Sequence, residues 1–351
     1  MHDKTMVMAI LAMLVAGGSL LANGTKEESK AKQAQDESTV TVYSTSSFCA
    51  EWGPGPQLAK DFEEKTGIKV TLVDAGSTGE MLTKLVSEKD DPVADVVIAI
   101  SDNLAPRIYD AGILTPYDSP ALKDIPSFLK FDSQDRLLPY DYGNFGFVYD
   151  SEKIPASDVP HSLDGLTDPK FEKKVILMDP RTSSAGMGLL EWTIEVYGED
   201  HWLDWWRKMK PNTLTVASGW SAGYGLFTEG EAPIVLTYTT SPVYHVINEH
   251  TTRYQTMIFD EGHNTTIEGL GLVKGAKHAA AGKELIDFVL TDEQLKIAVA
   301  DSMYPVNSSL ALPDAYQYAP KPAKNLKLDA NLLERKQNEW LDAWEKEMSK
   351  Q

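Results

Sequence analysis

The sequence has 351 residues, of which 42% are hydrophobic, which is enough to bury the cores of two domains. Its formal net charge of -19 argues against a nucleic-acid partner, because a phosphate backbone is bound through lysine and arginine. The only cysteine, Cys49, excludes an internal disulfide.

The N-terminus has the pattern of a signal peptide. Lys4 and the terminal amine precede an apolar run over residues 6–16, which is too short for a permanent transmembrane helix. We therefore predict a signal peptide at residues 1–22, cleaved near Ala22, and export to the periplasm. Residues 23–38 hold almost no apolar side chains, and we predict a flexible linker there.

The first part of the chain alternates between predicted strands and helices. Apolar and β-branched runs predict strands at residues 40–43, 68–73 and 95–100. A predicted loop over residues 44–55 precedes a helix that begins at Pro56. This order of strand and helix predicts an α/β lobe with a parallel sheet.

The remaining chain repeats this rhythm. An extended segment at residues 137–148 is predicted to cross between two lobes. Trp202, Trp205 and Trp206 share one face of a predicted helix, which indicates core packing. Further strands are predicted at residues 175–178, near 214, at 234–236 and at 267–273, and a terminal helix at 331–348.

Polar residues predict several helix starts. Residues 101–103, Ser-Asp-Asn, are predicted to cap a helix, and residues 291–294 fit a capping box. A predicted loop at 179–188 leads into a helix at 189–197. Ser241 is predicted to cap a helix whose first turn contains a proline.

Aromatic residues cluster at two predicted strand-to-helix junctions. They are Trp220, Tyr224, Tyr238 and Tyr244, and each could instead be a core residue. Open α/β sheets bind ligands at the carboxyl ends of their strands. Four aromatic residues at such junctions therefore predict a binding pocket.

The loop at residues 179–188 is rich in small and hydroxyl-bearing residues. Free backbone N–H groups at the following helix start, beside the Ser183 and Ser184 hydroxyls, predict an anion site. The alternative is an ordinary serine N-cap. No Gly-Lys-Ser/Thr follows, so the loop does not match a Walker motif.

Residues 219–223 match the G-x-S-x-G pattern of a hydrolase nucleophile, which keeps a secreted serine hydrolase using Ser221 open as an alternative. Asp260 and the downstream histidines His245, His250 and His263 would complete its triad. The histidines are dispersed and no H-E-x-x-H or C-x-x-C motif is present, so no metal site is predicted. A binding protein for another small anion or cation is a further alternative.

Several longer blocks together resemble one family, the periplasmic thiamine-binding proteins of bacterial ABC importers. The resemblance runs from about Val40 to the C-terminal helix and is densest at residues 47–48, 52–56, 139–143, 179–183, 219–221, 241–245 and 303–306. It implies a two-lobed periplasmic binding protein fold of type II, each lobe a mostly parallel sheet flanked by helices. It also implies a monomer, without a cofactor or catalytic residues, that carries thiamine, thiamine monophosphate or thiamine diphosphate to an inner-membrane permease.

The resemblance also implies lobe boundaries and a ligand site. Lobe 1 would comprise residues 39–142 plus 265–312, and lobe 2 residues 143–264 plus 313–351. The implied ligand-binding residues are Trp52, Ser77, Asp141, Ser183, Ser184, Trp220, Tyr238 and Tyr244. The cationic thiazolium of thiamine would gain roughly 2 kcal/mol over a desolvated aromatic face.

Three positions depart from the pattern of the family. Thr45, Ser77 and Ser302 stand where family members carry a tyrosine, an aspartate and a tryptophan. These changes would leave a wider, more polar cleft with one negative charge fewer. We therefore expect phosphorylated thiamine, including the diphosphate, to bind at least as well as free thiamine.

Overall fold

A computed structural model describes residues 38–350 of the protein. The predicted signal peptide and the predicted linker, except for Ser38, lie outside the described residues. None of the helices within residues 38–350 is long and apolar enough to cross a membrane.

The described chain alternates strands and helices. The strands are β1 (Thr39–Ser44), β2 (Lys69–Asp74), β3 (Val96–Ser101), β4 (Leu114–Thr115), β5 (Leu138–Asp150), β6 (Val175–Met178), β7 (Thr213–Ala217), β8 (Ile234–Tyr238), β9 (Tyr254–Met257), β10 (His263–Val273), β11 (Tyr304–Pro305) and β12 (Asn325–Leu326). The α-helices are α1 (Ser46–Cys49), α2 (Gly55–Thr66), α3 (Thr78–Ser87), α4 (Ala105–Ala111), α5 (Ser184–Tyr197), α6 (Trp202–Met209), α7 (Trp220–Thr228), α8 (Pro242–Asn248), α9 (Ala279–Thr291), α10 (Gln294–Ala300) and α11 (Ala330–Met348). Short 3-10 helices lie at Pro120–Asp124, Ser127–Leu129, Ala156–Asp158, Asp164–Thr167, Pro169–Phe171, Lys210–Asn212 and Asp314–Tyr318.

The long strand β5 joins the two lobes, as the sequence predicted for residues 137–148. The strand order is β2-β1-β3-β10-β5-β8-β6-β7. Leu138 to Asn144 of β5 pair with β10, and Phe145 to Tyr149 pair with β8. β1, β2 and β3 are parallel in lobe 1, and β6, β7 and β8 are parallel in lobe 2. β5 and β10 are the antiparallel strands between these two groups.

Each lobe has its own hydrophobic core. The lobe 1 core lies between β1, β3 and β10 and the helices α2 and α9. The lobe 2 core contains Trp202, Trp205 and Trp206, as predicted, together with Trp344 of α11. The Trp205 and Trp206 rings meet edge to face at 5.3 Å, a geometry worth about 0.5–1.5 kcal/mol beyond burial. The exact lobe boundaries remain a prediction.

Three predicted helix caps are wrong, at residues 101–103, at residues 291–294 and at Ser241. α4 begins after Leu104 without a side-chain cap, while Asp102 pairs with Lys327 and Asn103 Nδ2 donates to the Ser184 carbonyl at 2.9 Å. Thr291 is the last residue of α9, and α10 starts without the predicted capping box. A buried polar group takes the partner that the fold offers, whatever its local spacing suggests.

Two helix boundaries also differ from the prediction. α1 lies inside the predicted loop at 44–55, and α5 begins at Ser184 and not at Leu189. The first turns of α5 are fully buried, so packing offsets the low helix propensity of their glycines. Ser241 precedes α8 as predicted but does not cap it, because its Oγ lies 2.7 Å from Thr237 Oγ1 and accepts from the Tyr238 N–H.

Candidate ligand-binding site

A cavity of about 590 Å³ opens between the lobes. Its size falls within the range of small-molecule sites. Of the predicted ligand-binding residues, the following line it: Trp52, Ser77, Ser183, Ser184, Trp220, Tyr238 and Tyr244. Asp141 is the exception, since it is fully buried in β5 and does not reach the cavity.

Three aromatic side chains form what we call the aromatic cage, namely Trp52 from lobe 1 and Trp220 and Tyr244 from lobe 2. The centroid of the Trp52 ring lies 6.2 Å from that of Trp220 and 6.0 Å from that of Tyr244. Trp52 is 48% exposed, so its ring has free surface on which a ligand can pack. It precedes Gly53, where an added Cβ would lie 2.1 Å from the Ser47 carbonyl oxygen. Only glycine allows the loop to fold this closely and turn the indole across the cleft.

Trp220 is held rigidly at the start of α7. Tyr224 stacks on one face of the indole, with centroids 4.7 Å apart and an interplanar angle of 16°. The indole Nε1 donates to Thr237 Oγ1 at 2.8 Å. The other face is therefore the one available to a ligand. Tyr224 itself is buried in the lobe 2 core and supports the cage from behind.

Tyr238 connects the cage to a group of carboxylates. Its ring stacks on Phe145 at 5.3 Å, and its hydroxyl donates to Glu268 Oε1 at 3.4 Å. Tyr140 donates to the other Glu268 oxygen at 2.9 Å. Burial raises the pKa of Tyr238 well above its usual value, and the nearby charge of Glu268 adds to the shift. Tyr238 is therefore a neutral donor whose orientation depends on Glu268.

Glu268 and Asp301 line the cavity, and Asp141 lies behind them; we call these three residues the acidic wall. Burial raises the pKa of all three, and the charge of Glu268 raises those of Asp141 and Asp301 further. Both carboxylate oxygens of Asp141 lack a hydrogen-bond partner within residues 38–350.

Neither Glu268 nor Asp301 was predicted from the sequence as a site residue. The available signal was that Glu268 is the only acidic residue of β10 and stands in its apolar second half. β5 holds two acidic residues, Asp141 and Asp150, and Asp141 was predicted from the family resemblance alone.

The starts of α3, α5 and α7 converge on one side of the cavity, which we call the helix-start edge. The Gly79 N–H donates to the Thr182 carbonyl at 3.0 Å, and Thr182 Oγ1 donates to the Ser218 carbonyl at 2.6 Å. A Cβ on Gly219 would lie 3.1 Å from that of Ser77. Helix N-termini carry partial positive charge, so this edge suits an anionic group.

The three helix starts differ in how far they are already capped. A capping box of Ser77 and Glu80 closes α3. Ser183 caps α5 by accepting from the Gly186 N–H at 3.4 Å, which is the ordinary capping role that the sequence left open. α7 starts at Trp220 with no side-chain cap, so its first N–H groups are the most available donors.

Ser221 lines the cavity in the first turn of α7, but the described residues do not assemble a triad around it. His245 Nε2 lies 2.9 Å from the Tyr224 hydroxyl, and its Nδ1 lies 2.7 Å from Glu249. His263 is buried, with its nitrogens bonded to main-chain atoms of Phe145 and Phe259. No hydrogen bond links a histidine to Ser221 within residues 38–350, and no metal-binding group is found there.

The three positions that depart from the family pattern all line the cavity. Thr45 caps α1 by accepting from the Phe48 N–H at 3.4 Å. Ser77 stands at the helix-start edge. Ser302 has a φ of 55° and neighbours Asp301 of the acidic wall, and its hydroxyl has no hydrogen-bond partner in the described part of the chain.

Comparison with known proteins gives a consistent picture. Residues 57–324 match the family described as bacterial extracellular solute-binding protein. The thiamine-binding periplasmic protein of Brucella suis biovar 1 (strain 1330) is 37% identical over 318 residues, covering 90% of this chain and 93% of that protein. The protein of the same name from Escherichia coli (strain K12) is 34% identical, with coverages of 89% and 94%. A solved structure of a periplasmic thiamin binding protein aligns with a TM-score of 0.83 at 33% identity, covering 89% of this chain and 96% of that one.

Proposed function

The chain belongs to the family of bacterial extracellular solute-binding proteins, and from that premise we propose that it captures thiamine between its two lobes for an ABC importer. It acts in the periplasm, where it hands the ligand to a permease in the inner membrane. Its lobes follow the boundaries given above and close on the ligand through β5 and the other connecting segments. Closure requires that the ligand binds the closed state more tightly than the open one.

The observation that carries this proposal is the aromatic cage beside the acidic wall. The cage offers the faces of Trp220 and Tyr244 from lobe 2 and the half-exposed indole of Trp52 from lobe 1. Glu268 and Asp301 add negative charge to the same cavity. An aromatic, permanently cationic ring is the chemical group that fits both features, and thiazolium is such a ring.

The helix-start edge supports the phosphate esters of thiamine as ligands. The uncapped start of α7 and the Ser77, Ser183 and Ser184 side chains provide donors for a phosphate. Glu80 is the opposing charge on this edge, but its carboxylate already accepts from the Ser77 N–H at 2.7 Å. We propose that the monophosphate and the diphosphate bind at least as well as free thiamine.

A second candidate is a binding protein for a different organic cation. It is favoured by Thr45 and Ser302, which replace two large aromatic residues of the family pattern and leave more room in the cavity. In either case the protein binds its ligand as a monomer and catalyses no reaction. Ser221 then serves as a donor at the start of α7 and not as a nucleophile.

Calorimetric titration of the mature protein with thiamine, its monophosphate and its diphosphate tests the proposal. We expect saturable one-to-one binding of at least one of the three, with the phosphates at least matching thiamine at equal ionic strength. Choline, a cation without an aromatic ring, is the control for a different organic cation. Binding of choline but no thiamine form would favour the second candidate, and ester turnover lost in Ser221→Ala would favour a hydrolase.

A further inference from the structure

The acidic wall holds three carboxyl groups, and none of them forms an ion pair with a lysine, arginine or histidine within residues 38–350. Asp141 and Glu268 lie directly opposite each other on β5 and β10, and the charge of Glu268 raises the pKa of both Asp141 and Asp301. Three like charges at such a site are costly, because a buried carboxylate loses hydration and repels its neighbours. A group of this kind keeps at least one proton while it has no counter-ion.

A second observation points to a missing partner on the cavity side. The Ser302 hydroxyl is 4% exposed and lines the cavity, yet it has no hydrogen-bond partner in the described chain. Asp301 Oδ2 and both oxygens of Asp141 are likewise unpartnered there. Unsatisfied buried polar atoms are rare in folded proteins, and four of those in the described chain belong to Asp141, Asp301 and the adjacent Ser302.

We propose that the acidic wall shares a proton in the ligand-free protein and releases it to solvent when a cationic ligand binds. This inference rests on the proposed function and concerns how pH regulates ligand binding at the same site. Entry of the cation breaks one carboxyl O–H bond, the proton passes to water or buffer, and the carboxylate left behind balances the charge of the ligand. Glu268 and Asp301 form the side of the wall that faces the cavity, and Asp141 lies buried behind them.

The groups around the wall are neutral hydroxyls and one carboxylate that already has a cationic partner. The hydroxyls of Tyr140 and Tyr238 donate to Glu268 from β5 and β8, and Tyr316 lies near Asp141 and Asp301. Burial raises the pKa of these tyrosines, so they remain neutral. Asp102 is a further negative charge near Glu268, and it is paired with the ammonium group of Lys327.

The remaining titratable groups that line the cavity are Glu249, His245 and Tyr244 of the α8 region, Tyr224 of α7 and Glu80 of α3. Burial raises the pKa of both tyrosines, so they stay neutral, and it lowers the pKa of His245, so its imidazole is mostly neutral at about pH 7.5 and above. Proton release at about pH 7.5 and 8.5 is therefore not expected from His245.

The direction of the pH effect follows from linkage. A cation favours the ionised carboxylate and so lowers the pKa of the wall from its raised value. Protons are released at any pH between the lowered and the raised value. The affinity for the cation therefore rises with pH through that window, by up to about tenfold per pH unit for one proton, and is flat above it.

The test is calorimetric titration with free thiamine, since a phosphate ester would itself titrate near neutral pH. Two buffers of different ionisation enthalpy, compared at about pH 6.5, 7.5 and 8.5, give the number of protons released. We expect release of up to about one proton at the lower pH values and a matching rise in affinity with pH. Glu268→Gln and Asp301→Asn should each reduce the release, whereas Glu284→Gln, on the exposed face of α9, should not.

Thiamine binding with pH-independent affinity and no proton release would overturn the inference and leave the proposed function standing. Unchanged proton release on thiamine binding to both wall variants would have the same consequence. Absence of thiamine binding at every pH would overturn the proposed function and this inference with it. As a readout that does not depend on the folding of the variants, side-chain carboxyl ¹³C shifts assigned to Asp141, Glu268 and Asp301 in the ligand-free protein should show at least one of them titrating above the ordinary range of aspartate and glutamate. Ordinary titration of all three would also overturn the inference. Glu191 and Glu195, whose pKa values burial also raises, do not line the cavity and do not count towards this test.

Discussion

Trp220 and Tyr244 are the residues whose removal should weaken ligand binding most directly. Trp220→Ala and Tyr244→Ala should each raise the Kd for thiamine by the equivalent of about 1–3 kcal/mol, because a cation–π contact and buried area are both lost. Binding calorimetry on each folded variant measures this. Phe128→Ala is the matched control, since Phe128 is 76% exposed and does not line the cavity.

The opposite result has a clear meaning for Trp220, which packs against the lobe 2 core. If Trp220→Ala lowered the unfolding temperature sharply while each folded molecule bound thiamine normally, the indole would be a core residue. Trp220 would then no longer belong to the aromatic cage.

Ser77 offers a test of the phosphate end of the ligand. Ser77→Asp keeps an N-cap residue at the start of α3 but adds a charge at the helix-start edge. Binding of thiamine monophosphate should weaken by about 1 kcal/mol or more relative to free thiamine, because like charges then face each other. Competition between the two ligands at matched salt measures the ratio. An unchanged ratio would place the phosphate away from Ser77.

At the scale of single residues, the sequence predicted the aromatic part of the site better than its charged part. Trp220, Tyr238 and Tyr244 stand at the ends of strands or the starts of helices, which local pattern identifies. Glu268 and Asp301 meet only because β10 and the segment after α10 both lie beside β5. Contacts between residues so distant along the chain produce no recognisable spacing pattern in the sequence.

Among the elements, α5 connects the core to the ligand site through one close contact. A Cβ at Gly188 would lie 2.0 Å from the ring of Phe145, which stacks on Tyr238. Gly188→Ala should therefore lower the free energy of unfolding by about 1–3 kcal/mol and weaken ligand binding as Tyr238 shifts. Urea unfolding and calorimetry on the same preparation measure the two effects.

Gly225 in α7 provides the control for that substitution. A Cβ there meets nothing within 4 Å, so Gly225→Ala should raise the free energy of unfolding by roughly 0.5–1 kcal/mol through helix propensity. Equal destabilisation by both substitutions would contradict the packing argument for Gly188.

The sequence predicts helices and strands well where periodic apolar patterns mark them. It predicts helix caps poorly where the polar residues have partners elsewhere in the fold. The alternating order of elements and the tryptophan face of α6 follow from spacing along the chain. Asp102 and Asn103 were misassigned as cap residues because their partners, Lys327 and the Ser184 carbonyl, are distant in sequence. Tertiary hydrogen bonds outweigh a local cap when the group is buried.

For the molecule as a whole, the buried Glu191 should make stability depend on pH. Burial raises its pKa from 4.5 to about 8, so in the folded state it keeps its proton at neutral pH. Its contribution to stability is fully present below pH 4.5 and is lost as the pH rises through about 8. Between about pH 6 and pH 8, the free energy of unfolding of the wild type should therefore fall by about 2 kcal/mol relative to that of Glu191→Gln.

Urea unfolding of both proteins across this range measures that difference. Glu334 is exposed on α11, and Glu334→Gln removes the same charge. Its free energy of unfolding should show the same pH dependence as that of the wild type. A wild type that gains stability relative to Glu191→Gln as the pH rises would contradict the assignment. The neighbouring Glu195, whose pKa burial raises to about 7, would then need the same test.

A crystal structure of the mature protein with thiamine monophosphate tests the proposed ligand site most directly. We expect the thiazolium against the free face of Trp220 and within reach of Tyr244, Glu268 and Asp301. We expect the phosphate at the helix-start edge, near the start of α7. A ligand bound outside the cavity between the lobes, or one with its phosphate against Glu268 and Asp301, would contradict the proposed site.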